Sequence, residues 1–333
     1  MKSSSALSDD AFLRQAIALG AAARGTTAPN PNVGCLIVDP DGQATLGRGA
    51  TQAGGRPHAE AVALAEAGPG ARGATLYTSL EPCAHRSDRG PACADLILQA
   101  GISRVVAALV DPDPRTCGLG IARLRGAGLA VEVSPADGPI AIEARASMAG
   151  WLTRLALGRP RVTLKLALSI DGKIALASGE SKWITGTDAR AHVHLERSRA
   201  DMILVGRGTL LADRPSLDVR LPGLEHRSPR RALLTRGEPV EGWQTLSSPL
   251  DVFRLHDVND LLVEGGSATA TAFLAADLVD RILLYRAPIL IGEGKSSVGY
   301  IGLDAIGDAH ERWLPAGGQQ LGIDRLEIYD RLR

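Results

Sequence analysis

A histidine, a glutamate and two cysteines in the first third of the chain are spaced like the parts of a metal-dependent active site. His58 precedes Glu60 by two residues, and Cys83 and Cys93 follow farther along the chain. One imidazole and two thiolates supply three of the four ligands of a tetrahedral Zn²⁺. The fourth position is then open to water, as in catalytic rather than structural zinc sites. We therefore predict that His58, Cys83 and Cys93 bind zinc.

Glu60 lies too close to His58 in sequence to be a comfortable fourth ligand, and it is better placed to move a proton. Zinc lowers the pKa of its water to about 7, and a carboxylate beside that water can carry a proton to a departing ammonia. This histidine–glutamate and proline–cysteine order is typical of zinc-dependent base deaminases. Two alternatives are a structural zinc completed by His85 and a non-enzymatic zinc-stabilised binding protein; neither needs Glu60.

Composition restricts the kinds of partner. The 333 residues suffice for two domains. Lys+Arg and Asp+Glu are equal at 37 each and aromatic residues make up 3%, whereas nucleic-acid binding favours a basic excess and base-stacking aromatics. No run approaches the roughly 20 apolar residues of a membrane span, and residues 1–10 lack the apolar run of a signal peptide. We expect a cytosolic protein without a nucleic-acid or membrane partner.

The elements that must hold these residues alternate between strand and helix. In the first half, helices are predicted over 10–23, 58–67, 93–100 and 120–126, and strands over 33–38, 75–80, 104–110 and 130–133. In the second half, strands are predicted over 162–168, 202–205, 231–235, 260–263 and 281–285. Such alternation predicts an α/β fold with largely parallel sheets covered on both faces. The domain boundary is predicted near Gly158-Arg159-Pro160 or slightly before it, giving domains 1–150 and 151–333.

A second group of residues could bind phosphate. Glu264-Gly265-Gly266-Ser267 closes a predicted strand and opens a helix, where glycines let the backbone approach a phosphate and the helix start donates amides. The spacing is not the dinucleotide fingerprint. Arginines, whose forks pair well with phosphate, are also concentrated nearby, although a solvated basic face is the alternative. They are Arg197, Arg207, Arg214 and Arg220.

At these residues the chain resembles the bifunctional deaminase/reductase family of riboflavin biosynthesis, over nearly its whole length. The deaminase motif alone would also fit cytidine, guanine or transfer-RNA adenosine deaminases, so the combination carries the resemblance. The matching segments are 29–35 (PNPNVGC), 58–60 (HAE), 75–83 (TLYTSLEPC), 111–114 (DPDP), 164–173 (LKLALSIDGK), 178–185 (SGESKWIT) and 263–266 (VEGG).

The resemblance implies a cytidine-deaminase-like three-layer domain followed by a dihydrofolate-reductase-like domain. The first would hydrolytically deaminate 2,5-diamino-6-(5-phosphoribosylamino)pyrimidin-4-one, using Zn²⁺. The second would reduce the ribosyl group of the product to ribityl, using NADPH, a cofactor that carries the hydride chemistry while the protein orients it. The family also tends to associate through its reductase half, which implies a homo-oligomer, either a dimer or a tetramer.

The resemblance further implies which residues line each site. Asn30 and Asn32 would lie close to the deaminase substrate. The reductase substrate would contact Ser181, Arg197, Leu217, Arg220 and Glu264. NADPH would contact Ala167, Trp183, Thr209, Asp213, Gly266, Ser267, Ala268, Thr269, Ala270, Thr271 and Ala272. Either Asp213 or Glu264 could be the acid that assists opening of the sugar ring, and the sequence does not choose between them.

The chain departs from the family pattern in two places. The loop 84–92 between the two cysteines is one residue longer than expected. The segment 221–263 is shorter than the family usually has, and we expect little regular structure between 235 and 260. A trimmed adenosine side of the NADPH site would leave a monofunctional deaminase with a non-catalytic scaffold as its second domain, and this alternative stays open at this point.

Overall fold

The computed structural model of the protein describes residues 8–85 and 89–333. Its contacts divide the chain into two compact units, Met1–Leu155 and Ala156–Arg333. Within the described ranges, every helix is too short or too polar to span a bilayer. Each unit builds its own sheet and its own hydrophobic core, so the two are described separately.

The first unit contains one sheet with helices packed against it. Its strands run in the order β2-β1-β3-β4-β5, in which β1 is antiparallel to β2 and β3, and β3, β4 and β5 are parallel. The elements are α1 (Asp9–Ala22), β1 (Gly34–Val38), β2 (Thr45–Ala50), α2 (Ala59–Ala67), β3 (Thr75–Thr78), α3 (Cys93–Ala100), β4 (Arg104–Ala107), α4 (Leu119–Gly126), β5 (Ala130–Val133), α5 (Pro139–Ser147) and α6 (Ala149–Leu157).

Local sequence explains where several of these helices begin and end. Ser8 caps α1 by accepting a hydrogen bond from the backbone N–H of Ala11 at 3.3 Å, and acidic residues fill the first turn, where the helix dipole favours them. Gly101 ends α3 in the left-handed conformation, which glycine adopts without strain. The predicted boundary between residues 150 and 151 falls inside α6.

Two glycines of β2 allow helix α2 to lie directly on the sheet. A Cβ atom at Gly47 would lie 2.2 Å from the carbonyl oxygen of Ala63, and one at Gly49 would lie 2.1 Å from that of Ala59. Both contacts are with backbone, which has little freedom to retreat. Because α2 carries Glu60 in its first turn, this close approach fixes how deeply that carboxylate enters the unit.

The second unit contains a sheet in the order β10-β9-β8-β11-β6-β12-β15-β14. Its strands are parallel from β10 through β12, and β15 and β14 add an antiparallel hairpin; β7 and β13 pair separately. The elements are β6 (Arg161–Leu168), β7 (Lys173–Leu176), α7 (Thr187–Ser198), β8 (Met202–Gly206), α8 (Arg207–Asp213), β9 (Arg230–Leu234), β10 (Gln244–Leu246), β11 (Asp260–Val263), α9 (Ser267–Ala275), β12 (Arg281–Arg286), β13 (Gly294–Ser296), β14 (Trp313–Leu321) and β15 (Asp324–Arg331).

The segment between β9 and β11 corrects one expectation. We expected little regular structure between 235 and 260, and this is wrong, because the short strand β10 and a 3₁₀ helix, Pro249–Arg254, lie there. Ser248 and Asp251 form a reciprocal capping box at the start of that helix. The segment thus keeps a strand and a helical turn in compact form. Leu246 and Val252 are buried in the core of the unit.

Candidate functional site

Three predicted metal ligands come together in the first unit at the starts of two helices. His58 is the N-cap of α2, Cys93 is the first residue of α3, and Cys83 lies in the loop after β3. The Nδ1 atom of His58 is 3.6 Å from Sγ of Cys83 and 3.3 Å from Sγ of Cys93. Tetrahedral zinc with bonds of about 2.3 Å to sulfur and 2.0–2.1 Å to nitrogen would hold such atoms roughly 3.6 Å apart. The donor set and its spacing therefore fit Zn²⁺.

The two cysteines differ in pKa because they are hydrogen-bonded to each other. A hydrogen bond from the Cys93 thiol lowers the pKa of Cys83 to about 4, and the same contact, with burial, raises the pKa of Cys93. The backbone N–H of Cys93 also donates to Sγ of Cys83 at 3.3 Å. A bound metal ion deprotonates a coordinating thiol outright, so the pair is poised to release a proton when zinc binds.

Glu60 lies next to the three metal-binding side chains but is not one of the predicted metal ligands. Its carboxylate is only 3% exposed, and its Oε2 atom is 3.4 Å from Sγ of Cys93. Burial raises the pKa of Glu60, because desolvation disfavours the charged form. A carboxyl whose pKa is shifted toward neutrality is suited to carrying a proton in both directions.

The two predicted substrate asparagines occupy different surroundings. The Asn30 amide lies at the metal centre, with Nδ2 3.3 Å from Nε2 of His58. The Asn32 amide is buried and donates to two backbone carbonyls, those of Gly20 and Ser147, at 3.1 Å each. Asn30 is therefore positioned by the metal site, whereas Asn32 ties α1 to α5.

His85, the alternative fourth ligand, lies outside the group of metal-binding atoms. Its Nδ1 atom is 3.3 Å from Oγ1 of Thr116. Among the described residues that could hold a metal, only the His58, Cys83 and Cys93 atoms group around one point here. The predicted extra residue of the loop 84–92 is not located, since 86–88 lie outside the described residues.

Glu81 also belongs to this site, although no sequence motif indicated a role for it. It precedes Pro82 and Cys83, and its carboxylate is 2% exposed. That carboxylate accepts hydrogen bonds from three backbone amides of the stretch 111–121. The sequence signal was an acidic residue at the end of a buried strand, since charged side chains are rarely buried without partners.

In the second unit, Arg197 and Glu264 form a bidentate ion pair. Nε and Nη2 of Arg197 donate to the two carboxylate oxygens of Glu264 at 2.7 and 2.9 Å, and Nη1 donates to the Asp218 carbonyl at 3.1 Å. Glu264 directly follows β11, and Arg197 lies in the last turn of α7. The pair thus links the carboxyl edge of the parallel sheet to the segment 217–220, which carries the predicted substrate residues Leu217 and Arg220.

Lys165 joins this ion pair from the neighbouring strand. Its Nζ atom is 4.0 Å from Oε2 of Glu264. Burial lowers the pKa of Lys165. Burial alone would raise the pKa of Glu264, but the hydrogen bonds and charge of Arg197, together with Lys165, lower it. Lys165 was not among the predicted site residues, although a lysine within a buried strand is itself a functional signal.

The segment after β7 carries two further predicted contacts. Trp183 is 68% exposed, and the guanidinium of Arg190 lies 4.8 Å from the centroid of its ring. The neighbouring Lys182 forms an ion pair with Asp213, with Nζ and Oδ1 3.4 Å apart. Ser181 lies in the same segment. These contacts bring Ser181, Trp183 and Asp213 into one region of the unit.

Other predicted residues lie along the strand and loop of this region. Leu217 is buried with a positive φ of 57°, and Arg220 is exposed with Nε 3.4 Å from Oδ1 of Asp218. Ala167 lies in β6, paired with Tyr285 of β12. Arg207, which had no family support, donates to a loop carbonyl.

The glycine turn after β11 packs tightly against its own helix. A Cβ atom at Gly265 would lie 2.4 Å from Cβ of Thr269, and the N–H of Gly266 donates to Oγ1 of Thr209 at 3.2 Å. The amides of Ser267 and Ala268 at the start of α9, which lack intrahelical acceptors, are suited to phosphate, whereas those of Thr269 and Ala270 donate to the Gly266 carbonyl. Ser267, Ala268, Thr271 and Ala272 lie in α9 with Thr269 and Ala270, whose side chains are buried.

Both units match known protein families. The profile described as "Cytidine and deoxycytidylate deaminase zinc-binding region" matches residues 7–109, and "RibD C-terminal domain" matches residues 160–242 and 245–321. The second profile thus spans almost all of the segment that we expected to be shortened.

Relatives and solved structures extend the match over the whole chain. The chain is 37% identical to the riboflavin biosynthesis protein RibD of Escherichia coli, covering 91% of this chain and 94% of that protein. It is 39% identical to RibD of Mycobacterium tuberculosis, covering 91% of each. The structure of Acinetobacter baumannii RibD superposes with a TM-score of 0.85 at 32% identity, covering 98% of this chain and 99% of that one. A Thermotoga maritima structure, described as a diaminohydroxyphosphoribosylaminopyrimidine deaminase/5-amino-6-(5-phosphoribosylamino)uracil reductase, gives 0.86 at 29% identity, covering 97% and 99%.

Proposed function

The chain belongs to the RibD family of bifunctional riboflavin-biosynthesis enzymes, and from this we propose how its residues divide the two reactions. The enzyme is a zinc-dependent pyrimidine deaminase and an NADPH-dependent reductase. The predicted resemblance, the cytidine-deaminase-like and dihydrofolate-reductase-like fold and the two cofactors are confirmed. The monofunctional alternative is not favoured, because the reductase profile and the full-length relatives cover the second unit.

For deamination, we propose that Glu60 moves the protons while the three ligands hold the metal. His58, Cys83 and Cys93 would hold zinc, and the chemistry that zinc supplies there is a water with a pKa near 7. The buried carboxyl of Glu60 takes a proton from that water and delivers it to the departing amino group. Asn30, held beside His58, orients the pyrimidine. Asn32 supports this end of the site from within the fold.

For reduction, we assign positioning of the substrate to the ionised groups and proton donation to Lys165. NADPH supplies the hydride when bound. Arg197 and Arg220 contact the phosphoribosyl group of the substrate, with Ser181 and Leu217 beside them. Lys165, whose Nζ atom is 4.0 Å from Oε2 of Glu264, can donate a proton to the sugar oxygen. Since the pKa of Glu264 is lowered, it stays ionised near neutral pH, which favours Lys165 as the donor.

The cofactor contacts are proposed from the family and from local geometry. Residues Gly266 to Ala272 would lie beside the NADPH phosphates, which the first amides of α9, those of Ser267 and Ala268, would receive. Ala167, Trp183, Thr209 and Asp213 would line the remainder. Support comes from the hydrogen bond that Thr209 accepts from Gly266 and from the ion pair between Lys182 and Asp213 beside Trp183.

The setting of the enzyme is also part of the proposal. We place the deaminase in residues 1–150 and the reductase in 151–333, working in the cytosol as a homo-oligomer, either a dimer or a tetramer. The small-molecule substrate is consistent with the relatives, and nothing indicates nucleic acid or membrane. The described cysteines are free thiols, as suits a reducing compartment. Mass photometry of the purified protein tests the oligomer, and a monomer at working concentration contradicts it.

The observation that carries this assignment is that each unit gathers its own chemical group, the metal ligands with Glu60 in one and Arg197–Glu264–Lys165 in the other. The test is an assay on zinc-quantified protein given the diamino-pyrimidine substrate with and without NADPH, following ammonia and NADPH absorbance. We expect ammonia in both cases and NADPH oxidation after deamination. Ammonia release without NADPH oxidation would contradict the reductase assignment.

A further inference from the structure

A buried carboxylate next to a metal ligand binds a distant stretch of backbone. Oε2 of Glu81 accepts hydrogen bonds from the N–H of Asp111 at 3.1 Å and of Gly118 at 2.9 Å, and Oε1 accepts one from Ile121 at 3.0 Å. Gly118 is the N-cap of α4 and Ile121 lies in its first turn. The helix start favours a negative charge. The carboxylate therefore joins the end of β3 to the stretch 111–121.

The two residues after Glu81 transmit this attachment to Cys83. A Cβ atom at Gly120 would lie 1.9 Å from the carbonyl oxygen of Pro82, so α4 touches the backbone immediately before the ligand. On the other side, the N–H of Ala94 donates to the Cys83 carbonyl at 3.1 Å. Cys83 is thus held between α4 and α3 by backbone contacts.

We propose that Glu81 is a positioning residue that sets Cys83 for zinc and couples zinc occupancy to the order of the stretch 111–121. The inference rests on the zinc site proposed above. Because only Pro82 separates Cys83 from Glu81, a shift of Cys83 would be transmitted through Pro82 to the three hydrogen bonds of Glu81. Coupling of this kind is reciprocal: zinc should protect those three amides, and loss of the carboxylate should weaken zinc binding.

A glutamine at position 81 keeps the shape but removes the charge and one acceptor oxygen. Its NH₂ group would face a backbone N–H, leaving a buried donor without a partner. Glu81→Gln is therefore the test variant. Glu143→Gln is the matched control, because Glu143 lies in the same unit in an exposed ion pair with Arg14, where loss of charge changes little.

The first measurement is zinc release from full-length protein to a chromogenic chelator, together with the thiolate-to-metal charge-transfer band of the Co²⁺-substituted protein. We expect about 10- to 100-fold weaker metal retention in Glu81→Gln and a shifted Co²⁺ band, with Glu143→Gln unchanged. The band reports sulfur geometry at the metal, which a general loss of stability would not shift. Wild-type release and an unshifted band in folded Glu81→Gln would overturn the proposal.

A second measurement on the wild-type protein decides the matter if Glu81→Gln does not fold. Hydrogen exchange at the amides of Asp111, Gly118 and Ile121 is compared between zinc-loaded and chelator-treated enzyme. We expect their exchange to accelerate at least 10-fold without zinc, while the amides of the α1 core stay protected. Unchanged exchange at the three amides overturns the coupling. A wild-type protein that binds no zinc would instead refute the proposed metal site.

Discussion

Glu60 and Glu264 are both nearly buried carboxylates, yet their surroundings move their pKa values in opposite directions. Burial dominates at Glu60 and raises its pKa, whereas at Glu264 burial is opposed by the hydrogen bonds and charge of Arg197 together with the charges of Lys165 and His194, and its pKa is lowered. Carboxylates whose environments separate their pKa values have different roles in catalysis. Glu60 is suited to exchanging protons, and Glu264 to remaining a fixed anion.

Replacing Glu60 should separate metal binding from catalysis. In Glu60→Gln we expect zinc content within error of wild type and ammonia release reduced by about 10²- to 10⁴-fold, because only the proton carrier is lost. Zinc quantification and the ammonia assay on the same sample provide the measurement. Cys93→Ser is the contrasting variant, which should lose zinc and fold less well, since metal binding contributes to folding. Ammonia release at the wild-type rate in Glu60→Gln would be incompatible with the mechanism.

Replacing Glu264 should impair reduction and leave deamination intact. Glu264→Gln leaves Arg197 and Lys165 without their anion, so we expect NADPH oxidation to fall about 10²-fold with unchanged ammonia release.

The lowered pKa of Glu264 also sets the pH dependence of folding stability. The stabilisation from this ion pair is present above the ordinary carboxyl pKa and is lost as pH falls through the lowered value. Urea unfolding of Glu264→Gln between pH 7 and pH 3 measures this loss of stabilisation. Glu238→Gln, which lies on a loop of the same unit, is the control variant. Equal pH dependence in both variants would contradict it.

The spacing of residue types along the chain predicted the residues that would surround one metal ion. It did not predict residues whose role depends on contacts with backbone amides or charged groups from distant parts of the chain. The metal ligands and Glu60 share a short motif, and the structure gathers them. Glu81 and Lys165 gave no such motif, because their importance comes from amides and charges brought in by other strands and helices. Asn32 shows the opposite case. It lies in the same motif as Asn30, but its amide donates to two backbone carbonyls and so stabilises the fold.

At the scale of elements, strands with an apolar run or a polar–apolar alternation were predictable, whether fully buried like β11 or half-exposed like β5, and the almost wholly exposed strand β14 was not. The predicted strands at 130–133 and 260–263 coincide with β5 and β11, and the helix at 93–100 coincides with α3. Strand β14 was missed because almost all of its side chains are exposed, so it has neither an apolar run nor an alternation. Pro315 and Gly317-Gly318 within it further hide the strand pattern.

Two ion pairs of the second unit should differ greatly in their contribution to stability. Asp280 pairs with Arg159 through two hydrogen bonds of 2.6 and 2.8 Å, with side chains 12% and 3% exposed, before β12. Asp257 pairs with Arg230 with both side chains at least half exposed. Asp280→Asn should lower the free energy of unfolding by about 3 kcal/mol and Asp257→Asn by less than about 1 kcal/mol.

Urea unfolding of the full-length variants measures this difference. Both changes replace an aspartate by its amide in the same unit, and the loss at Asp280 also includes its contacts with the backbone N–H of Val162 and with Arg333. Similar losses in the two variants would show that burial of the Arg159–Asp280 pair does not govern its contribution. Asp280 also accepts a hydrogen bond from the backbone N–H of Val162 in β6, the strand of Lys165, so its loss should also slow NADPH oxidation.

At the scale of the whole molecule, each unit carries a complete core and its own cofactor chemistry. The metal ligands lie within Met1–Leu155 and the Arg197–Glu264 pair within Ala156–Arg333. The alternation of strands and helices predicted this division from the sequence. It did not predict the antiparallel hairpin that closes the second sheet.

Removing zinc should therefore abolish deamination and leave NADPH-dependent reduction intact. Chelator-treated protein supplied with the deaminated pyrimidine should oxidise NADPH at a rate within about two-fold of the untreated enzyme, because catalytic contributions of a metal are confined to its own site. Ammonia release from the diamino substrate should be lost, and added Zn²⁺ should restore it. Parallel loss of both activities would show that the reductase unit depends on the metal.

The close fit of α2 on β2 has a consequence for how this gene tolerates change. Positions 47 and 49 lack room for even one added carbon, because the helix backbone occupies that space. Neither glycine is a catalytic residue, yet any substitution at either position would displace α2, the helix that carries Glu60. We expect substitutions at these two positions to be tolerated poorly, whereas the exposed edge strand β14 should tolerate substitution well.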